Sequence, residues 1–205
     1  SSIPDILKLT QGGPDFDTPE EVKRAGIEAI EQNFSHYTGR AGWPEVREAA
    51  CTFVEKKYNV HYDWQTEVLV TVGGTEAITA TLLSILEPGD KVLLPTPIYS
   101  GYEPVITLAK AELIQMDTSQ TDFVLTPDLL EATLEEHGDQ VKAVILNYPS
   151  NPIGVTYTRE EVKSLADVLK KYPVFVMCDE IYSELVYDET HTSIAEFIPN
   201  QTILI

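Results

Sequence analysis

The sequence predicts an α/β fold, a three-layer α/β/α arrangement around a mostly parallel sheet. Three observations carry this. From Val68 onward, short apolar runs alternate with segments of helical pattern, separated by Pro/Gly turns. The runs read as continuous apolar stretches rather than in-out alternation, which suits strands buried on both faces of a parallel sheet. The clearest is Val174-Phe175-Val176-Met177-Cys178, which ends abruptly in Asp179-Glu180.

The elements follow in order. Residues 1–19 lack periodicity and are expected to form an extended arm with turns at Gly12, Gly13 and Pro14. Thr18-Pro19-Glu20-Glu21 predicts a helix start, with Thr18 as N-cap, Pro19 in the first helical position and Glu21 closing a capping box. Val22, Ala25, Ile27, Ala29 and Ile30 give that helix an apolar face. Pro44 opens a second helix, to about Tyr58. Residues 68–72 (VLVTV) are expected to form a strand ending at Gly73-Gly74, followed by a helix over residues 75–86. Pro88-Gly89-Asp90 is a turn and KVLLP a strand. Residues 97–109 read as helical despite Gly101 and Pro104, and ELIQM as a strand. Thr126-Pro127 caps a helix through His137, and VKAVILN is a strand ending at Asn147. Thr158 with Glu161 forms a second capping box for a helix to about Lys171. The strand ending at Asp179 comes next, and TILI at residues 202–205 reads as one more. Successive parallel strands imply right-handed crossovers.

Composition narrows the function. At 43 % apolar and 23 % charged residues the balance is that of a soluble globular chain. No apolar run approaches membrane-spanning length. Cys51 and Cys178 are too few for a disulfide framework, and Cys178 lies in a core strand, so a reducing, cytoplasmic setting is expected. A net charge of −19 argues against nucleic acid and anionic membranes as partners. It also requires that any phosphate ligand be held locally by backbone amides.

In parallel sheets ligands sit beyond the carboxyl ends of the strands, and four expected strand ends carry suitable chemistry. Gly73-Gly74-Thr75 joins a strand to a helix, where amides can receive an anion. The bland alternative is a tight turn. The segment has neither the Gly-Lys-Ser/Thr of a P-loop nor the G-x-G-x-x-G spacing. Asn147-Tyr148-Pro149-Ser150-Asn151-Pro152-Ile153-Gly154 is stiffened by two prolines, so Asn147 and Asn151 are expected to be displayed. Tyr99 offers an aromatic face and Tyr182 a phenol. Asp179, backed by apolar residues, stays charged only if a cation faces it.

These residues belong to a wider pattern. GGPDFDTP, HYTGxAG, VTVGGTEAI, LNYPSNPIGV, DEIYSEL and HTSIAE occur in one order across essentially the whole chain. Together they resemble the pyridoxal-phosphate-dependent class I/II aminotransferases of fold type I, nearest their bacterial aromatic branch. The resemblance implies pyridoxal 5′-phosphate as cofactor, with an amino acid and a 2-oxo acid as substrates and a homodimer as assembly. By the same resemblance Asp179 pairs with the protonated pyridine nitrogen, and Asn151 and Tyr182 contact the ring's phenolic oxygen. Tyr99 stacks on the ring, and Gly74 and Thr75 cradle the phosphate. Tyr37 reaches a partner subunit's phosphate, and Gly12 lies near the substrate carboxylate. No metal site is implied.

The family's Schiff-base lysine matches no position here. The sequence is therefore expected to be an N-terminal fragment, with residues 1–35 an arm and first helix and residues 36–205 an incomplete cofactor-binding domain, inactive alone. Two positions depart from the family pattern: Gly13 stands where glutamate is usual, and Ile153 where threonine is usual. Other readings are a carbon–sulfur beta-lyase of the same fold, a non-catalytic truncated paralogue, and a P-loop NTPase with Asp179-Glu180 as its metal-binding pair.

Overall fold

The computed structural model of the chain describes residues 12–13, 15–188 and 190–205. The expected arm over residues 1–11 and the turn at Pro14 lie outside the described residues. The chain divides into two compact units, Ser1–Gly39 and Arg40–Ile205. The first contains α1 (Glu20–Glu31), none of whose residues is buried. The capping box expected at Thr18 and Glu21 does not form. Pro19 has φ −52° and ψ 143°, an extended conformation, so it occupies the N-cap position and the helix starts one residue later than expected.

The second unit is built on five strands, β1 (Lys91–Thr96), β2 (Glu112–Asp117), β3 (Val141–Asn147), β4 (Phe175–Asp179) and β5 (Thr202–Leu204). They pair in the order β2-β1-β3-β4-β5, every pair parallel. The helices are α2 (Pro44–Tyr58), α3 (Gly73–Ile85), α4 (Tyr102–Leu108), α5 (Pro127–His137) and α6 (Arg159–Leu169). Thr126 caps α5 by accepting from the Leu129 N–H at 3.3 Å. The Thr158–Glu161 capping box forms in full at the start of α6.

The continuous apolar runs have a direct physical cause. Leu93, Val144, Leu146, Val176 and Cys178 enter a core shared with α5 and α6. Their neighbours Val92, Leu94, Ala143, Ile145 and Met177 enter a second core, shared with α3 and α4, on the opposite face. Period-two alternation places successive residues on opposite faces, and both faces are covered, so every position must be apolar. Each fully buried aliphatic side chain contributes about 1.5–3 kcal/mol.

Two expected elements differ. Residues 68–72 form no strand: among the described residues none pairs with them in a ladder. Their backbone ties are a local bond from Gly73 N–H to the Thr71 carbonyl, 2.9 Å, and Val70 N–H to the Ala41 carbonyl, 3.0 Å. Gly42 makes this approach possible, since at φ +92° a Cβ would also lie 2.6 Å from that of Val70. The helix expected from Pro97 begins only at Tyr102. Pro104 is tolerated because it falls in the first turn, where an N–H has no intrahelical acceptor.

Burial raises the phenol pKa values of Tyr58, Tyr102, Tyr148 and Tyr157 above the ordinary tyrosine value. The neutral form is favoured in the folded state. Stability is therefore intact below the unfolded tyrosine pKa, about pH 10, and is lost as pH rises towards the folded values. The expected slope is about 1.4 kcal/mol per pH unit for each such tyrosine. Urea unfolding at about pH 9 and about pH 11 checks this: the midpoint should be lower at the higher pH, and equal midpoints at the two values count against it.

Candidate functional site

The face alternation that builds the core also places the polar residues at its edge. On β3, Ala143 and Ile145 face α3 and α4, so Asn147 continues that row. On β4, Met177 faces the same side and Asp179 follows it. The two are direct neighbours in the β3–β4 register. Both line a cavity of about 270 Å³ at the carboxyl ends of the strands. Gly74 and Thr75 reach it from the start of α3, Tyr99 from the loop after β1, and Asn151 and Tyr182 from the loops after β3 and β4. Ile78, Ile181 and Ile205 supply the apolar remainder. Six sequence-predicted residues (Gly74, Thr75, Tyr99, Asn151, Asp179 and Tyr182) are thus brought together. Gly12 and Tyr37 belong to the first unit, where both are exposed, Tyr37 fully.

Asp179 is 7 % exposed. Its Oδ2 accepts a hydrogen bond from the Tyr102 hydroxyl at 2.7 Å, and its Oδ1 accepts the Ile181 N–H at 3.2 Å. Among the described residues no Lys, Arg or His forms an ion pair with it. A buried carboxylate so placed has two donors and a free affinity for a cation entering the cavity.

Asn147 serves the scaffold. Its Nδ2 donates to the Asp179 carbonyl at 3.0 Å, and its Oδ1 accepts the Asn151 N–H at 2.8 Å. It therefore ties the two loops together and turns Asn151 towards the cavity. Ser150 and Gly154 close the same loop through backbone bonds, Ser150 N–H to Val155 O at 2.8 Å and Gly154 N–H to Ser150 O at 2.7 Å. The half-exposed Ile153 takes no part in that closure, so the hydroxyl it lacks is not needed there.

At the other end, Gly73 adopts φ +76°, and the Glu76 carboxylate accepts the Val72 N–H just before α3. The first-turn amides of α3 have no intrahelical acceptor and carry the positive end of its dipole. Tyr99 folds back over Gly101, where a Cβ would lie 2.2 Å from the ring. Its ring meets Tyr102 edge-on, centroids 5.5 Å apart.

Tyr102 is the contributor that the sequence concealed. A tyrosine on the apolar face of a helix reads as core packing, and nothing local says that its hydroxyl ends at Asp179. Glu180 points the other way. It pairs with buried His191, Oε2 to Nε2 2.9 Å, and accepts from the Cys178 thiol at 3.4 Å. The two acids diverge onto different cavities, which removes the geometry of a metal-binding Asp-Glu pair. The cavity that Glu180 lines is larger, about 710 Å³, but mainly apolar, and its charged groups are Glu67, Glu180 and Glu184. Those acids repel an anionic ligand. No helix among the described residues is long and apolar enough to cross a membrane.

Known proteins resemble this chain in sequence and fold. A family model described as aminotransferase class I and II matches residues 4–204. A probable N-acetyl-LL-diaminopimelate aminotransferase of Bacillus subtilis (strain 168) is 47 % identical over 201 residues, 98 % of this chain and 50 % of that protein. An aspartate aminotransferase of Pyrococcus horikoshii is 32 % identical over 206 residues, 100 % of this chain and 52 % of that protein. Among solved structures, an aromatic aminotransferase from Pyrococcus horikoshii OT3 superposes with a TM-score of 0.91 at 32 % identity, covering 98 % of this chain and 54 % of that one. N-succinyldiaminopimelate aminotransferase from Mycobacterium tuberculosis superposes with a TM-score of 0.88 at 34 % identity, covering 96 % and 52 %. The chain spans about half the length of the curated relatives it matches. Fold, motif order and the gathered strand ends agree: this chain belongs to the class I and II aminotransferases, a family that depends on pyridoxal 5′-phosphate.

Proposed function

We propose that the protein containing this chain transfers an amino group between an amino acid and a 2-oxo acid, and that these residues hold the pyridoxal phosphate ring. The observation that carries the reading is Asp179, a buried carboxylate with two hydrogen-bond donors and no described ion-pair partner, lining a cavity that the first residues of α3 also line. A flat ring with a cationic nitrogen at one end and a phosphate at the other suits both groups.

The roles follow from chemistry. Asp179 keeps a proton on the ring nitrogen. Gly74 and Thr75 receive the phosphate on backbone amides, which compensates locally for the net charge of −19. Tyr99 covers one ring face, and Asn151 and Tyr182 donate to the ring oxygen. When bound, the cofactor supplies an electron sink that eases loss of the substrate's alpha proton. No lysine is among the residues lining the cavity, so the proposal assigns no Schiff-base lysine to these 205 residues and expects no turnover from them alone. Tyr37 and Gly12 are proposed to act in a homodimer, at a partner's phosphate and at the substrate carboxylate, with residues 1–35 as arm and 36–205 as cofactor domain. The cytoplasm is the proposed location.

For the donor, the 47 % identical relative is named for N-acetyl-LL-diaminopimelate, whereas aspartate, aspartate/prephenate and aromatic names occur at 32–36 %. A diaminopimelate-type donor is therefore preferred to the aromatic one that the sequence motifs suggested. Beta-lyase chemistry is the lesser reading, since the named relatives are aminotransferases.

Two measurements test this. Pyridoxal phosphate titrated into the 205-residue chain should bind, and Asp179→Asn should weaken it about 10-fold or more, the scale of a charge-assisted hydrogen bond. Equal binding by both would refute the Asp179 role. Given the whole protein and a panel of donors with 2-oxoglutarate, N-acetyl-diaminopimelate should exceed phenylalanine in kcat/KM; the reverse order restores the aromatic reading.

A further inference from the structure

Asp179 owes its orientation to few contacts. Its Oδ1 is set by the Ile181 N–H, but its Oδ2 has only the Tyr102 hydroxyl among the described side chains. Tyr102 is the first residue of α4 and is completely buried. A buried phenol needs a partner, and this one is 2.7 Å from the carboxylate. We infer that Tyr102 is a positioning residue for the cofactor, holding the Asp179 carboxylate in the orientation that meets the ring nitrogen. The inference rests on the cofactor reading proposed above.

Three features make Tyr102 suited to this. Burial, and then the charge of Asp179, raise its phenol pKa above the ordinary range, so it remains a donor at any working pH. Its ring is packed edge-on against Tyr99, with planes 87° apart, so one side chain braces both the carboxylate and the aromatic face. It also lies in α4, an element separate from the β3 and β4 loops, so its hold on Asp179 links α4 to the cavity floor. Without the hydroxyl, Oδ2 would be a buried acceptor lacking its donor, and the carboxylate would be free to turn about its Cβ–Cγ bond. That change weakens pairing with a cationic nitrogen and leaves phosphate and ring stacking alone.

That asymmetry separates positioning from a general structural role. Tyr102→Phe keeps the ring against Tyr99 and removes only the hydroxyl. Two ligands are titrated into the unchanged and variant chains: pyridoxal phosphate, and its analogue with C–H in place of the ring nitrogen. The expected result is a loss of about 10-fold or more for pyridoxal phosphate and less than about 2-fold for the analogue. In an Asp179→Asn background, Tyr102→Phe should add less than about 2-fold, because the two residues act as one unit. Equal weakening of both ligands, no weakening of either, or additive losses in the double variant overturns the inference while leaving the cofactor reading in place. An unchanged chain that binds neither ligand overturns both.

Discussion

The coverage of both faces of the sheet is the constraint on which the rest depends. With α3 and α4 on one face and α5 and α6 on the other, the central residues of β1 (Val92, Leu93, Leu94), β3 (Ala143 to Leu146) and β4 (Val176, Met177, Cys178) point into one core or the other. Along these central runs every position is apolar. The first polar side chains therefore appear together at the carboxyl edge, and the parity of each strand decides which face they take. Asn147 and Asp179 share a parity and a register position, so they arrive side by side. Glu180, one residue on, goes to the opposite side and pairs with His191.

Electrostatics sharpen that placement. The chain carries a net charge of −19, a field hostile to phosphate at long range. In the proposed reading, oriented backbone at the start of α3 offsets this field, acting over a few ångströms and needing no basic side chain. Asp179 and the first residues of α3 line the same cavity, which gives it both a carboxylate and the positive end of a helix dipole. Such a cavity favours a ligand of matching polarity, cation at one end and anion at the other. The larger cavity nearby lacks that polarity, its charges being acids only. Volume alone points to the larger cavity rather than to the proposed one.

The places where sequence reading failed are informative. Residues 68–72 have the β-branched pattern of a strand, yet a strand exists only in a ladder, and no described strand lies beside them. Pattern reports what a segment prefers; pairing depends on what is adjacent. The capping box expected at Thr18 failed for a local reason. Pro19 has an extended ψ and takes the N-cap position itself, which moves the cap by one residue. The Thr158–Glu161 box formed as written. Tyr102 was invisible because its apolar ring satisfied the helical pattern completely.

What the sequence determined by itself was therefore short-range or periodic: strand ends at Asn147 and Asp179, caps at Thr126 and Thr158, and a parallel sheet from uninterrupted apolar runs. These depend on neighbours within a few residues, and composition records them. The tertiary structure alone decided which distant groups meet. Tyr102 and Asp179 are 77 positions apart, and their 2.7 Å hydrogen bond exists because two separately folded segments pack on the same face of one sheet. No local pattern encodes that distance, since it is set by the sum of helix packing across the core.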